Sequence, residues 1–73
     1  MTFPERLTML QHGKNVTKQE VYTTVGLSRI AYYRYEKGER EPTASLLIAL
    51  ADYFDVSLDY LVGRTDNPNS HKS

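Results

Sequence analysis

The sequence predicts an all-α fold built from five short helices. Apolar residues recur at spacings of three and four, which is the helical period. A serine or threonine is predicted to cap the first turn of the second, third, fourth and fifth apolar segments. The chain contains no predicted strand, and its 73 residues form one small domain in which compact, mostly local packing is favoured.

The first helix is predicted from Phe3 to about His12. Pro4 suits its first turn, because a proline lacks only an N–H that would have no helical partner there. One apolar stripe is formed by Phe3, Leu7 and Leu10. Gly13 is the expected cap at the end of this helix.

The second and third helices are predicted to be joined by a tight turn. Thr17 and Glu20 match the capping box that opens a helix, and Gly26 ends that helix. The buried positions expected around it are Val16, Val21 and Val25. Ser28 then caps the next helix. Two helices joined by a short turn containing glycine form a helix-turn-helix pattern.

The third helix, from Ser28 to Lys37 with Gly38 as its end, has two chemically different faces. Its inner face is predicted to consist of Ala31, Tyr32 and Tyr35, with Glu36 at the edge. Its outer face consists of Arg29, Ile30, Tyr33, Arg34 and Lys37. Arginine can bond both major-groove acceptors of guanine, and an apolar group can contact the thymine methyl. The outer face therefore suits a DNA groove, although solvated surface is the ordinary alternative for such a face.

Two further helices and a tail complete the prediction. Thr43 caps a fourth helix whose apolar stripe is Leu47, Leu50, Ala51 and Phe54, and Asp55 is expected to adopt the left-handed conformation. Ser57 caps a short fifth helix that ends at Gly63. Residues 1–63 are thus predicted to form the domain, and residues 64–73 a flexible tail.

Charge is distributed unevenly along a chain whose net charge is zero. Residues 14–40 carry six lysines and arginines against three glutamates, a local charge of +3. Residues 41–73 carry two cations against five carboxylates, a local charge of −3. A basic segment of this kind is the electrostatic footprint of a nucleic-acid binder.

Several other classes of function are disfavoured by the composition. The chain has no cysteine, so it forms no disulfide or thiolate metal site, which fits the cytoplasm. No apolar run has the length of a membrane span. The chain lacks a nucleophile–base set and a glycine-rich phosphate loop, so we expect no enzyme activity, no cofactor and no small-molecule substrate.

Residues 3–63 resemble the lambda-repressor-like, Cro/Xre-type helix-turn-helix domain. Four segments in the family's order and spacing carry the resemblance: residues 16–21, 25–29, 35–42 and 56–63. The resemblance implies a compact five-helix bundle that binds double-stranded DNA in the major groove. It also implies a transcriptional regulator, with repression the expected role, that binds a palindromic operator as a homodimer.

The resemblance assigns roles to particular residues. The implied base-reading residues are Arg29, Ile30, Tyr33 and Arg34, and Arg29 is favoured because it lies in the first turn of the recognition helix. The implied backbone contacts are Thr17 and Lys18, and Lys14, Lys37 and Arg40 are further phosphate candidates. The residues predicted for the dimer interface are Leu58, Tyr60, Leu61 and Val62, with the protein core as an equal alternative.

The sequence departs from the family pattern at three positions. Lys18 stands where the family usually has glutamine, and Tyr22 stands where it prefers alanine. Many members pair an arginine of the first helix with the glutamate at Glu36, but that position is Gln11 here. We expect Lys18 to reach a phosphate, Tyr22 to turn outward or re-angle the two helices, and the Gln11 amide to bond Glu36.

Two alternatives to a free-standing repressor stay open from the sequence. One is an antitoxin-type or adaptor module of the same fold whose main partner is another protein. The other is a restriction–modification controller, which would also bind DNA. The cations of the outer face favour DNA, because a pure adaptor has no need of them.

Overall fold

The computed structural model describes residues 1–69 and confirms the all-α prediction over that range. Five helices follow one another: α1 (Phe3–Gly13), α2 (Lys18–Thr24), α3 (Arg29–Glu36), α4 (Ala44–Phe54) and α5 (Leu58–Leu61). Within residues 1–69, no helix is both long enough and apolar enough to cross a lipid bilayer.

Side-chain caps begin the helices as the sequence predicts. The hydroxyls of Thr17, Ser28, Thr43 and Ser57 each accept a hydrogen bond of 3.1 Å from a backbone N–H three residues later. Thr2 was not predicted as a cap. Its backbone N–H and its hydroxyl both donate to the Glu5 carboxylate, and these hydrogen bonds lower the pKa of Glu5.

A left-handed residue follows each of the five helices, but one predicted cap is displaced. Asp55 has a φ of 57°, as expected from its place after α4. Gly13 was predicted to be the cap of the first helix, and that prediction is wrong, because the cap is Lys14. Gly13 is the last residue of α1, and the left-handed residue is Asn15, with a φ of 57°. The helical pattern persists past Gly13 because the Lys14 N–H donates to the Leu10 carbonyl at 2.9 Å.

One hydrophobic core joins all five helices. Its buried members are Phe3, Leu7, Leu10, Val21, Tyr32, Tyr35, Leu46, Leu50, Ala51, Phe54, Tyr60 and Leu61. The predicted α1 stripe is therefore confirmed. In α4, Leu46 takes the buried place predicted for Leu47, which is half-buried at the edge of the stripe. Val16 and Val25 are also half-buried, so Val21 alone is the fully buried anchor of its segment.

The segment after α5 packs back on the domain, although the sequence predicts a tail with few apolar groups. The guanidinium of Arg6 donates to the Thr65 carbonyl at 3.1 Å and lies 3.4 Å from the Asp66 carboxylate. The Ser57 N–H donates to the Pro68 carbonyl at 3.1 Å. Residues 70–73, the rest of the predicted tail, lie outside the described residues.

Candidate nucleic-acid interface

α2 and α3 are packed together through a tight turn. Gly26 has a φ of 80°, and the Leu27 N–H donates to the Tyr22 carbonyl at 2.7 Å. Tyr22 is half-buried, and the centroid of its ring lies 5.9 Å from that of Tyr32 with a tilt of 51°. The large side chain at this position thus forms part of the α2–α3 contact.

The inner face of α3 is fixed in the core. Tyr32 and Tyr35 are 1% and 3% exposed, which confirms that they are core residues. The ring of Tyr35 meets the ring of Phe3 edge-on, with centroids 6.5 Å apart. Burial, followed by the charge of Glu36, raises the pKa of Tyr32 above its ordinary value. The orientation of α3 is therefore set by side chains that cannot move independently of the fold.

The outer face of α3 is open to solvent, as predicted. All five of its residues are exposed, and Ile30 is 66% exposed. The guanidinium carbon of Arg29 lies 5.7 Å from the centroid of the Tyr33 ring. No carboxylate among residues 1–69 lies within ion-pair distance of Arg29, Arg34 or Lys37. These three charges are available to an anionic partner.

The start of α2 is arranged differently from the sequence-based expectation. The Lys18 ammonium lies 3.3 Å from the Glu36 carboxylate, and the Glu36 side chain is only 9% exposed. The prediction that the Gln11 amide bonds Glu36 is wrong, because that amide donates to the Val16 carbonyl instead. The sequence held a hint of this exchange, since Gln11 on α1 stands where the family pattern has an arginine, and Lys18 on α2 stands where it has glutamine.

The remaining phosphate candidates lie at the periphery of the α2–α3 unit or outside it. Lys37 is the residue that caps the end of α3. Lys14 lines a groove with Met9 and Asp55. Arg40 belongs to the loop before α4, and its guanidinium carbon lies 5.7 Å from the ring centroid of Tyr35. Thr17 is exposed, and its hydroxyl accepts from the Glu20 N–H, which leaves its O–H free to donate.

The four residues predicted for a dimer interface divide into two groups. Tyr60 and Leu61 are 8% and 0% exposed, so the core alternative holds for both. Leu58 is 45% exposed, and Val62 is half-buried. Leu58 lines a shallow groove between α4 and α5 together with the exposed Ile48. The apolar surface that is accessible at this end of the domain is therefore Leu58 and Ile48 rather than the centre of α5.

Sequence comparisons connect this arrangement with known regulators. A family profile described as helix-turn-helix matches residues 9–61. The chain is 40% identical over 65 residues to the uncharacterised HTH-type transcriptional regulator YqaE of Bacillus subtilis, covering 89% of this chain and 56% of that protein. It is 36% identical over 64 residues to the cryptic phage CTXphi transcriptional repressor RstR of Vibrio cholerae, covering 88% and 57%. The chain thus spans little more than half the length of these relatives.

Structural comparison gives the same result. The P22 c2 repressor, solved in complex with a synthetic operator, superposes with a TM-score of 0.81 at 26% identity, covering 89% of this chain and 98% of that one. A transcriptional regulator from Listeria innocua superposes with a TM-score of 0.79 at 31% identity, covering 85% and 58%. The family and these relatives are regulators rather than enzymes. From its fold, its α2–α3 unit and the match over residues 9–61, the chain belongs to the Cro/C1-type helix-turn-helix family of DNA-binding domains.

Proposed function

We propose that this chain is a sequence-specific transcriptional repressor that reads the major groove of a palindromic operator as a homodimer. The observation that carries the proposal is the outer face of α3. Its cations are exposed and unpaired by the carboxylates of residues 1–69, while the opposite face of the same helix is locked in the core. Such a helix can enter a groove as a rigid body. A role in transcription would place the protein in the cytoplasm, beside the DNA.

The side chains of the outer face match the chemistry of base edges. Arg29 lies in the first turn after the Ser28 cap, the part of a recognition helix that comes nearest to the bases. Arg29 is therefore assigned to guanine, and Ile30 to a thymine methyl. Tyr33 and Arg34 lie on the same face and complete the base-reading set.

Contacts to phosphate would hold α3 in register. The free O–H of Thr17 and the Lys37 ammonium are the contacts that the geometry of α2 and α3 supports best. Lys18 is close enough to the outer face to reach a phosphate as well, although Glu36 already occupies part of its donor capacity. Lys14 and Arg40 would contact only DNA that extends past the α2–α3 unit.

Homodimerisation follows from the way such operators are read. Two half-sites lie about one helical turn apart, roughly 34 Å, and a monomer cannot fix that spacing. We assign the dimer contact to the exposed Leu58, with Ile48 beside it and Val62 at its edge. Tyr60 and Leu61 would support this surface from within the core.

The test is selection of binding sequences from a pool of randomised duplexes, followed by titration at several salt concentrations. We expect the selected sequences to form an inverted repeat. The logarithm of affinity should fall with the logarithm of salt concentration with a slope of about −4 to −8 for a dimer. A reporter gene placed behind the selected sequence should be silenced when the protein is expressed.

The alternatives give different results in the same experiment. A flat salt dependence with no enriched sequence would reject DNA reading and leave the antitoxin-type or adaptor module with a protein partner. A selected sequence that occurs in the source genome directly upstream of a restriction–modification operon would favour the controller. Activation of the reporter would retain sequence reading and reject repression.

A further inference from the structure

The ion pair between Lys18 and Glu36 connects opposite ends of the helix-turn-helix. Lys18 is the first residue of α2, and Glu36 is the last residue of α3. Their charged atoms lie 3.3 Å apart, and the Glu36 side chain is 9% exposed whereas that of Lys18 is 41% exposed. Because Glu36 is nearly buried, its carboxylate depends on this cation for compensation.

The same ammonium also approaches the outer face of α3. It lies 5.2 Å from the centroid of the Tyr33 ring, within the range of a cation–π contact. The guanidinium carbon of Arg29 lies 5.7 Å from that same centroid. Two base-reading candidates are thus linked to Glu36 through one lysine, in the order Arg29, Tyr33, Lys18, Glu36.

Two departures from the family pattern now have one explanation. Gln11 stands on α1 where the family pattern has an arginine, and its amide donates to the Val16 carbonyl and not to Glu36. Lys18 stands on α2 where the family pattern has glutamine, and its ammonium pairs with Glu36. The cation that compensates the Glu36 carboxylate therefore belongs to the α2–α3 unit and not to α1.

We propose that Lys18 is a positioning residue for sequence recognition. Through Glu36 and Tyr33 it fixes the outer face of α3 relative to the start of α2, so it influences which sequences are bound and not only how tightly DNA is held. This inference rests on the proposed function, because it assumes that α3 reads bases. A lysine that contacted only phosphate would carry no sequence information.

The test compares Lys18→Met, Glu36→Gln and the double variant on three kinds of DNA. These are the duplex selected by the wild-type protein, its single-base variants and a random duplex, each at several salt concentrations. The quantity of interest is the ratio of specific to random affinity, because both substitutions also change the overall charge. Lys18→Met should lower that ratio by roughly 2- to 30-fold, the range expected for residues that act through a coupled network.

Coupling and rescue distinguish positioning from simple charge loss. Glu36→Gln should lower the ratio by a similar factor, and the double variant should lower it no further than either single change. Lys18→Arg keeps a cation within reach of Glu36, so this variant should keep most of the wild-type ratio of specific to random affinity. The matched control is Lys37→Gln, which removes an exposed cation that makes no ion pair within residues 1–69. That control should weaken all duplexes equally and make the salt slope shallower by about one unit per lost phosphate contact, which is about two units for a dimer.

The outcomes separate this inference from the proposed function. If the wild-type protein does not discriminate among duplexes, the proposed function fails and the inference falls with it. If the wild-type protein discriminates but Lys18→Met weakens every duplex equally and adds to Glu36→Gln, Lys18 is a phosphate contact and the inference alone is overturned. Circular dichroism checks that each variant is folded, and Lys18→Gln takes the place of Lys18→Met if the latter is not.

Discussion

The guanidinium carbon of Arg6 lies 3.8 Å from the centroid of the Tyr60 ring, and the same side chain donates to the Thr65 carbonyl. Arg6 is 3% exposed, whereas the side chain of its ionic partner Asp66 is fully exposed. Stacking and the carbonyl bond therefore stabilise this contact more than the ion pair does, because an exposed pair contributes little. In this way α1 holds the segment that follows α5.

We expect Arg6→Ala to lower the free energy of unfolding by about 1–3 kcal/mol, through lost packing and a lost hydrogen bond to a charged donor. Asp66→Asn, the matched control, should change it by less than about 1 kcal/mol. Urea unfolding followed by circular dichroism measures both. Equal losses from the two substitutions would show that the ion pair is the dominant interaction.

Replacement of Arg29 by alanine tests base reading. The variant should bind random DNA nearly as well as the wild type, but it should lose about 1–3 kcal/mol of discrimination at one base pair in each half-site. Binding curves on the selected duplex and its single-base variants measure this loss. A uniform loss on every duplex would identify Arg29 as a backbone contact, and Arg34 or Tyr33 would become the better candidate for that base.

Leu58→Glu tests the proposed dimer surface. Because the side chain is already 45% exposed, the substitution should leave folding intact while placing two carboxylates in a symmetric contact. Sedimentation should show a weaker dimer, and the affinity for the full inverted repeat should approach that for a half-site. Met9→Glu, at a position that is 38% exposed on α1, serves as the control and should change neither. A wild-type protein that is monomeric both free and on DNA would contradict the dimer assignment.

Tyr32→Phe tests a buried polar atom. The Tyr32 hydroxyl is buried without a hydrogen-bond partner among residues 1–69, so removing it should raise the free energy of unfolding by about 1–3 kcal/mol. The pKa of Tyr32 is raised by burial, and the folded state therefore keeps the proton longer than the unfolded state does. The wild-type protein should consequently lose stability as the pH rises above 10.0, the ordinary pKa of the group, while the Phe variant lacks this contribution.

Urea unfolding at neutral and alkaline pH measures both effects. Tyr33→Phe is the matched control, because Tyr33 is exposed on the same helix. A lower free energy of unfolding for Tyr32→Phe at neutral pH would show that the hydroxyl is hydrogen-bonded in solution.

Local chemistry explains which parts of the fold could be predicted from the sequence. Caps such as Thr17 and Ser28 act on residues three positions away, so the sequence alone determined where α2 and α3 begin. The two faces of α3 followed in the same way from the helical period. The contact of Arg6 with Thr65 joins residues 59 positions apart, and no local pattern encodes it.

The partly predicted features involve a choice between competing partners. The sequence-based expectation paired Glu36 with Gln11 of α1 and assigned Lys18 of α2 to a phosphate, but the three-dimensional packing of the helices brings Lys18 to Glu36 and Gln11 to the Val16 carbonyl. Tyr60 and Leu61 had apolar character suited to either a core or a dimer contact. Only the placement of α5 against the core assigns them to the interior.

α2 and α3 are only seven and eight residues long, and their length affects how the protein responds to heat. Helices this short do not persist alone in water, so α3 keeps its shape only while Tyr32 and Tyr35 stay in the core. Under the proposed function, melting and release from the operator should therefore occur together. A core substitution such as Leu7→Ala, which typically lowers the free energy of unfolding by about 2–5 kcal/mol, should then yield a protein that silences a promoter carrying the selected sequence in the cold and releases it on warming.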